Sequence, residues 1–179
     1  MDVPPDDKDW TWVLDRPCPE CGFDAGAMPL AQAGELLTAA VARLHQSLSR
    51  PDARTRPAPT TWSPLEYACH VRDTGEVFRG RIALVLERDN PTFPNWDQDA
   101  TAVERHYEQQ DPQVVAVELQ QSLDALIDQL DVVPDSAWHR PALRGNGSRF
   151  TLATLVRYLV HDPVHHAHDV GPGTAPAAT

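Results

Sequence analysis

Apolar residues recur at three- and four-residue intervals in four separate stretches of the chain, which is the period of an amphipathic helix. The first stretch runs from about Leu30 to Leu48, with Leu36, Leu37, Ala40, Val41, Leu44 and Leu48 on one stripe, and stops before Arg50-Pro51. The second opens at Ser63-Pro64-Leu65-Glu66, where serine can cap the free amides, proline suits the first helical position and Glu66 completes a capping box. It carries Tyr67, Val71, Phe78, Ile82 and Val85 to about Glu87. Asp111-Pro112 repeats the cap-and-proline start, and Val115, Leu119, Leu123, Leu126, Ile127 and Leu130 follow before Pro134. The fourth stretch begins near Thr151 and takes Leu152, Leu155, Val156 and Leu159 into a histidine-rich end. No strand pattern competes with these, so the pattern predicts an all-α chain folded as one four-helix bundle.

Between the stripes the chain turns polar and rich in proline, with 17 prolines in 179 residues marking joints. The predicted organisation is an N-terminal arm over 1–29, the bundle over 30–170, and a disordered tail of small residues over 171–179. The connection from Asn90 to Gln110 is long for a loop, with a short helix expected around Val103 to Gln109. Its Asn95-Trp96-Asp97-Gln98-Asp99 segment suits either a pocket mouth or a surface loop pinned by Trp96.

Charge narrows the function classes. With 15 Lys and Arg against 26 Asp and Glu, the net charge is -11, which argues against a surface that tracks nucleic-acid phosphates. No stretch has the roughly 20 apolar residues of a membrane span, and the first residues lack the basic and apolar regions of a signal peptide, so a cytoplasmic location is expected. The expected partner is a small-molecule substrate, with a homodimer left open.

The chemistry concentrates in His161-Asp162-Pro163-Val164-His165-His166-Ala167-His168-Asp169. Two histidines four apart stand one turn above the other on a helix, so His161 and His165 can converge on one ion, and neighbouring carboxylates such as Asp162 and Asp169 can orient the rings. His168 shares their side, whereas His166 points elsewhere. The alternative is a solvated helix end where cations are favourable in any case. On an ideal wheel His161 and His165 lie away from the apolar stripe, towards Tyr158, and Pro163 is expected to kink or open the helix between them. His70, at the edge of the second stripe, is a candidate third ligand.

The N-terminal arm holds Cys18-Pro19-Glu20-Cys21-Gly22, which looks like one knuckle of a zinc ribbon. Of the three cysteines only Cys69 remains, so a four-cysteine site is impossible within the chain. The expectation is that Cys18 and Cys21 hold no ion of their own and pack the arm against the bundle, with Trp10 and Trp12 as its apolar contacts.

Trp62-Ser63-Pro64-Leu65-Glu66-Tyr67-Ala68-Cys69-His70, the His161-Asp162-Pro163-Val164-His165 pair and the order of the helices from Leu30 to Val170 together resemble the DinB-like family of metal-binding four-helix bundles. The resemblance implies one divalent metal, zinc or nickel, on three histidines that fall here on His70, His161 and His165. It also implies kinship with mycothiol- and bacillithiol-dependent transferases, hence a low-molecular-weight thiol as co-substrate. Where many members have glutamine near the end of the last motif this chain has His168, which is a further ligand, a group that orients one or a proton shuttle; Asp162 and His168 are the residues expected to assist catalysis. Three neutral ligands leave a coordination position open. A thiol there makes the protein an S-transferase, the preferred reading; water makes it a hydrolase; a bundle that only binds metal or a small ligand is the remaining class.

Overall fold

Three of the four long helices begin where the sequence supplies a side-chain cap for the unpaired amides, and the first instead continues from a 3-10 turn over Leu30–Gln32. The computed structural model describes residues 9–171. Residues 172–179 of the expected tail lie outside the described residues. Helix α1 spans Ala33–Leu48, α2 Pro64–Glu87, α3 Gln98–Glu104, α4 Pro112–Asp131 and α5 Leu152–Asp169. Ser63 accepts from the Glu66 amide at the start of α2, and the Glu66 carboxylate accepts from the Ser63 amide at 2.8 Å. Asp111 accepts from the amides of Gln113 and Val114 at the start of α4. Thr151 and Thr154 form the corresponding box on α5.

The four long helices pack as a bundle, α2 on α4, and α1 on both α5 and α4. Their buried stripes supply the core, including Leu37, Leu44, Leu65, Ile82, Leu119, Leu126, Leu155 and Leu159. A buried polar group ties α2 to the chain beyond it: Tyr107 donates to Asp73, which also receives Arg72 and Arg105 at 2.8 Å.

Three details depart from the pattern in the sequence. The short helix comes earlier, over Gln98–Glu104, and a separate 3-10 turn covers Tyr107–Gln109, because His106 between them takes φ +49° and breaks the helical run. A small sheet exists: β1 (Thr92–Phe93) runs parallel to β2 (Pro141–Arg144), which pairs antiparallel with β3 (Arg149–Thr151). Strands of two to four residues are too short to show an alternation. The sheet folds both loops against the bundle end, burying Phe93, Ala142 and Phe150, and β3 delivers the chain directly into α5. Finally, α5 runs as one helix through Pro163 to Asp169 rather than opening there.

The arm crosses the outside of α5. A 3-10 turn over Trp10–Leu14 rests on that helix, burying Val13. Gly26 lies so close to Leu14 that a Cβ there would stand 2.2 Å from the Leu14 carbonyl oxygen, so only glycine fits that approach. Arg157 fastens the arm's end by donating to the Met28 carbonyl at 3.0 Å.

Candidate metal centre

Consecutive residues on a helix point about 100° apart, and the end of α5 uses this to serve two neighbours at once. His161 and His165 face the arm. Asp162 and His166 face α2, where His70 meets them. One ligand atom from each of His70, Asp162 and His166 lies within 4.8 Å of the others. His70 Nε2 stands 3.2 Å from Asp162 Oδ1, and His166 Nε2 stands 3.6 Å from the same oxygen. A second group, Cys18, Cys21, His161 and His165, converges within the same distance on the other side of the helix.

The structure thus brings His161 and His165 together, as their spacing predicts, but His70 is placed with Asp162 and His166. The reason is the face each pair occupies. His161 and His165 lie off the apolar stripe of α5, whereas Asp162 and His166, also four apart, share the side of Leu155 and Leu159 and so look into the bundle. Asp162 is therefore a member of the donor group itself. His168 joins neither group; it is half-exposed, with Asp169 3.8 Å away. His166 is the residue that the sequence reading set aside. Its spacing from Asp162 and its place on the apolar stripe were the available signals.

Neighbouring groups hold these donors in place. His166 Nδ1 is 3.0 Å from Asp169 Oδ2, which fixes that ring and leaves Nε2 turned to Asp162. Thr74 donates to the other Asp162 oxygen at 3.2 Å. Trp96, from the long connection, stacks on His70 with ring centroids 5.4 Å apart and planes 5° apart, so that segment does cover the site. His70 Nδ1 is buried and has no hydrogen-bond partner among the described residues.

Electrostatics divide the cluster in the same way. Burial opposes the charge on Asp162, yet the imidazoles of His70 and His166 hold its carboxyl well below the usual range. Burial would also lower His166, but the Asp162 and Asp169 carboxylates lift it to about 10. His161 is pushed down to about 4, by burial first and by His165 beside it second. His165 is lowered as well, mainly by burial. Neutral imidazoles on one side are a ready donor set for a divalent ion, and on the other the ionised Asp162 is one, with ion binding there releasing the proton that the carboxylates otherwise hold on His166. The His70, Asp162 and His166 set fits a catalytic ion: three donors, His70 buried and the other two partly exposed, beside a cavity of about 80 Å³ lined by Trp10, Gln98, Tyr158, His161, Asp162, His165 and His166.

A helical bundle with a three-donor group between its second and last long helices defines the class. The chain belongs to the DinB superfamily, whose profile matches residues 30–170. No curated protein matches it. Among solved structures, it is similar to YfiT from Bacillus subtilis, described as a probable metal-dependent hydrolase with an unusual four-helix bundle topology. The identity is 20%, the TM-score 0.68, and the match covers 78% of this chain and 82% of that one. It is also similar to the mycothiol-dependent maleylpyruvate isomerase, with 14% identity, a TM-score of 0.65, and coverage of 82% of this chain and 62% of that one. At these identities the likeness shows the fold. None of the helices among the described residues is long and apolar enough to cross a membrane.

Proposed function

We propose that the chain is a divalent-metal-dependent hydrolase of a small-molecule substrate, with His70, Asp162 and His166 as its metal ligands. The observation that carries this reading is a three-donor group open to a cavity whose wall, among the described residues, holds no lysine or arginine. A cation held there supplies Lewis acidity and lowers the pKa of a water at its open side. Asp169 fixes the His166 ring and Thr74 fixes the Asp162 carboxylate, so the donors need no rearrangement. Tyr158 forms part of the wall, and Arg144 donates to its hydroxyl oxygen at 3.3 Å, leaving the phenol proton for a substrate oxygen. Burial raises Tyr158 further, which keeps it a neutral donor.

The thiol S-transferase reading shares the ion but needs a place for an anionic thiol. Of the arginines that could serve it, Arg72 is engaged with Asp73 and Glu118, and Arg144 with Asn146, Ser148 and Tyr158. Its support is the likeness to the mycothiol-dependent isomerase and the position of Arg144 one hydroxyl behind the cavity. The metal-loaded protein should turn over simple esters or amides without thiol and lose that activity in His166→Ala. Turnover that strictly requires a low-molecular-weight thiol would replace hydrolysis by transfer.

A further inference from the structure

We infer that Cys18, Cys21, His161 and His165 form a second metal site, a structural zinc centre that fastens the N-terminal arm to the last helix. The expectation that the cysteines hold no ion rested on counting cysteines. The structure supplies the missing pair of donors from α5, 140 residues away from Cys21 at His161.

The four ligand atoms lie within 4.8 Å of one another. Cys18 Sγ is 3.6 Å from His165 Nδ1, and Cys21 Sγ is 3.9 Å from His161 Nε2. A tetrahedral zinc ion with ordinary Zn–S and Zn–N bonds sets sulfur and nitrogen about 3.6 Å apart. The arm has the local form of a zinc knuckle: Gly22 takes φ +75°, its amide donates to the Cys18 carbonyl at 2.8 Å, and the Cys18 amide donates to Phe23 at 2.9 Å. All three cysteines are free thiols, so no disulfide competes for the pair.

The surroundings are those of a metal-ligating histidine. His165 turns Nδ1 to Cys18, while its other nitrogen lies 3.4 Å from Glu20 Oε2, a carboxylate inside the knuckle, and 3.7 Å from Asp169 Oδ2. Trp10 covers the group, with its ring 5.9 Å from His161 and 5.5 Å from His165. Two thiolates and two imidazoles leave no position open, which makes the site structural. Among the described residues the arm has no helix longer than its 3-10 turn, and an ion shared with α5 supplies the cross-link that such a segment lacks. Because Trp10 also walls the cavity, the same ion fixes one side of the reaction site.

The inference does not depend on the proposed reaction. Zinc content measured on the purified chain should fall by about one ion per chain in a Cys18→Ser, Cys21→Ser variant and keep this ion in a His70→Ala, His166→Ala variant. An unchanged zinc content in the cysteine variant would overturn the site, whatever the His70→Ala, His166→Ala variant loses from the reaction centre. Should the cysteine variant fail to fold, the native protein decides: a mercurial titration should release about one zinc as Cys18 and Cys21 react. Modification of both, mapped by mass spectrometry, with no zinc released would overturn it, as would a Cys18–Cys21 disulfide in the purified protein. Release should also expose the arm to limited proteolysis while the bundle stays intact.

Discussion

His161 and Asp162 are neighbours in the chain but belong to different sites: His161 Nε2 lies 3.9 Å from Cys21 Sγ, and Asp162 Oδ1 lies 3.2 Å from His70 Nε2. The same division recurs one turn later at His165 and His166. Helix α5 thus presents candidate donors on two of its faces, about 100° apart.

That division makes the adjacent histidines separable. His166→Ala should abolish turnover and remove the ion held with His70 and Asp162 while leaving an ion bound with the cysteines. His165→Ala should weaken the cysteine-dependent ion instead. Metal analysis and cobalt spectra of both variants check this, since a thiolate-to-cobalt band should survive only in His166→Ala. If His70, His161 and His165 form one centre, the two variants will behave the other way round.

Thr74 reaches the candidate site through its hydroxyl, which lies 3.2 Å from Asp162 Oδ2 and 3.4 Å from His70 Nε2. Thr74→Val keeps the shape and removes the donor. Metal affinity at that site should fall about tenfold, by analogy with other groups that orient metal ligands, with thermal stability altered little. Competition against a calibrated chelator measures it. An unchanged affinity would show that the hydroxyl does not hold the carboxylate.

Glu66 gives a pH dependence. Burial would raise its carboxyl, but the Arg56 guanidinium, with Nε 3.0 Å from either oxygen, and the Ser63 amide and hydroxyl lower it from the usual 4.5. A lowered folded-state pKa contributes stability that is present above about pH 4.5 and is lost as the pH falls through the folded value. Glu66→Gln should cost about 1–3 kcal/mol at pH 7, and the gap from wild type should close in acid. Urea unfolding at pH 7 and below pH 4 tests the sign.

Two glycines of α2 should respond oppositely to alanine. A Cβ at Gly75 would stand 2.5 Å from Ser122 Oγ, which is held by its hydrogen bond to the Arg72 carbonyl, and 3.2 Å from Leu123 Cδ2. Gly75→Ala should destabilise by about 1–3 kcal/mol through overpacking of α2 on α4. Gly80 meets nothing within 4 Å, so Gly80→Ala should stabilise by up to about 1 kcal/mol from helix propensity alone. Thermal melts of the two variants distinguish close packing from a loose contact.

The sequence by itself determined the four long helices, because a stripe of period 3.6 and a cap such as Ser63 with Glu66 are local properties of the chain. It also singled out His70 and the histidine-rich end of the last helix as candidate ligands, since imidazoles four apart on a helix stand one turn above the other. The small sheet was not legible, because β1 is only Thr92–Phe93 and exists through a partner some fifty residues away. The tertiary structure alone decided which donors meet. Spacing along α5 allows both His161 with His165 and Asp162 with His166; the choice between them for His70 depends on which face of α5 the bundle covers and which the arm covers. Likewise, Cys18 and Cys21 lack enough cysteine partners in the sequence, and only packing the arm across α5 brings two imidazoles to them.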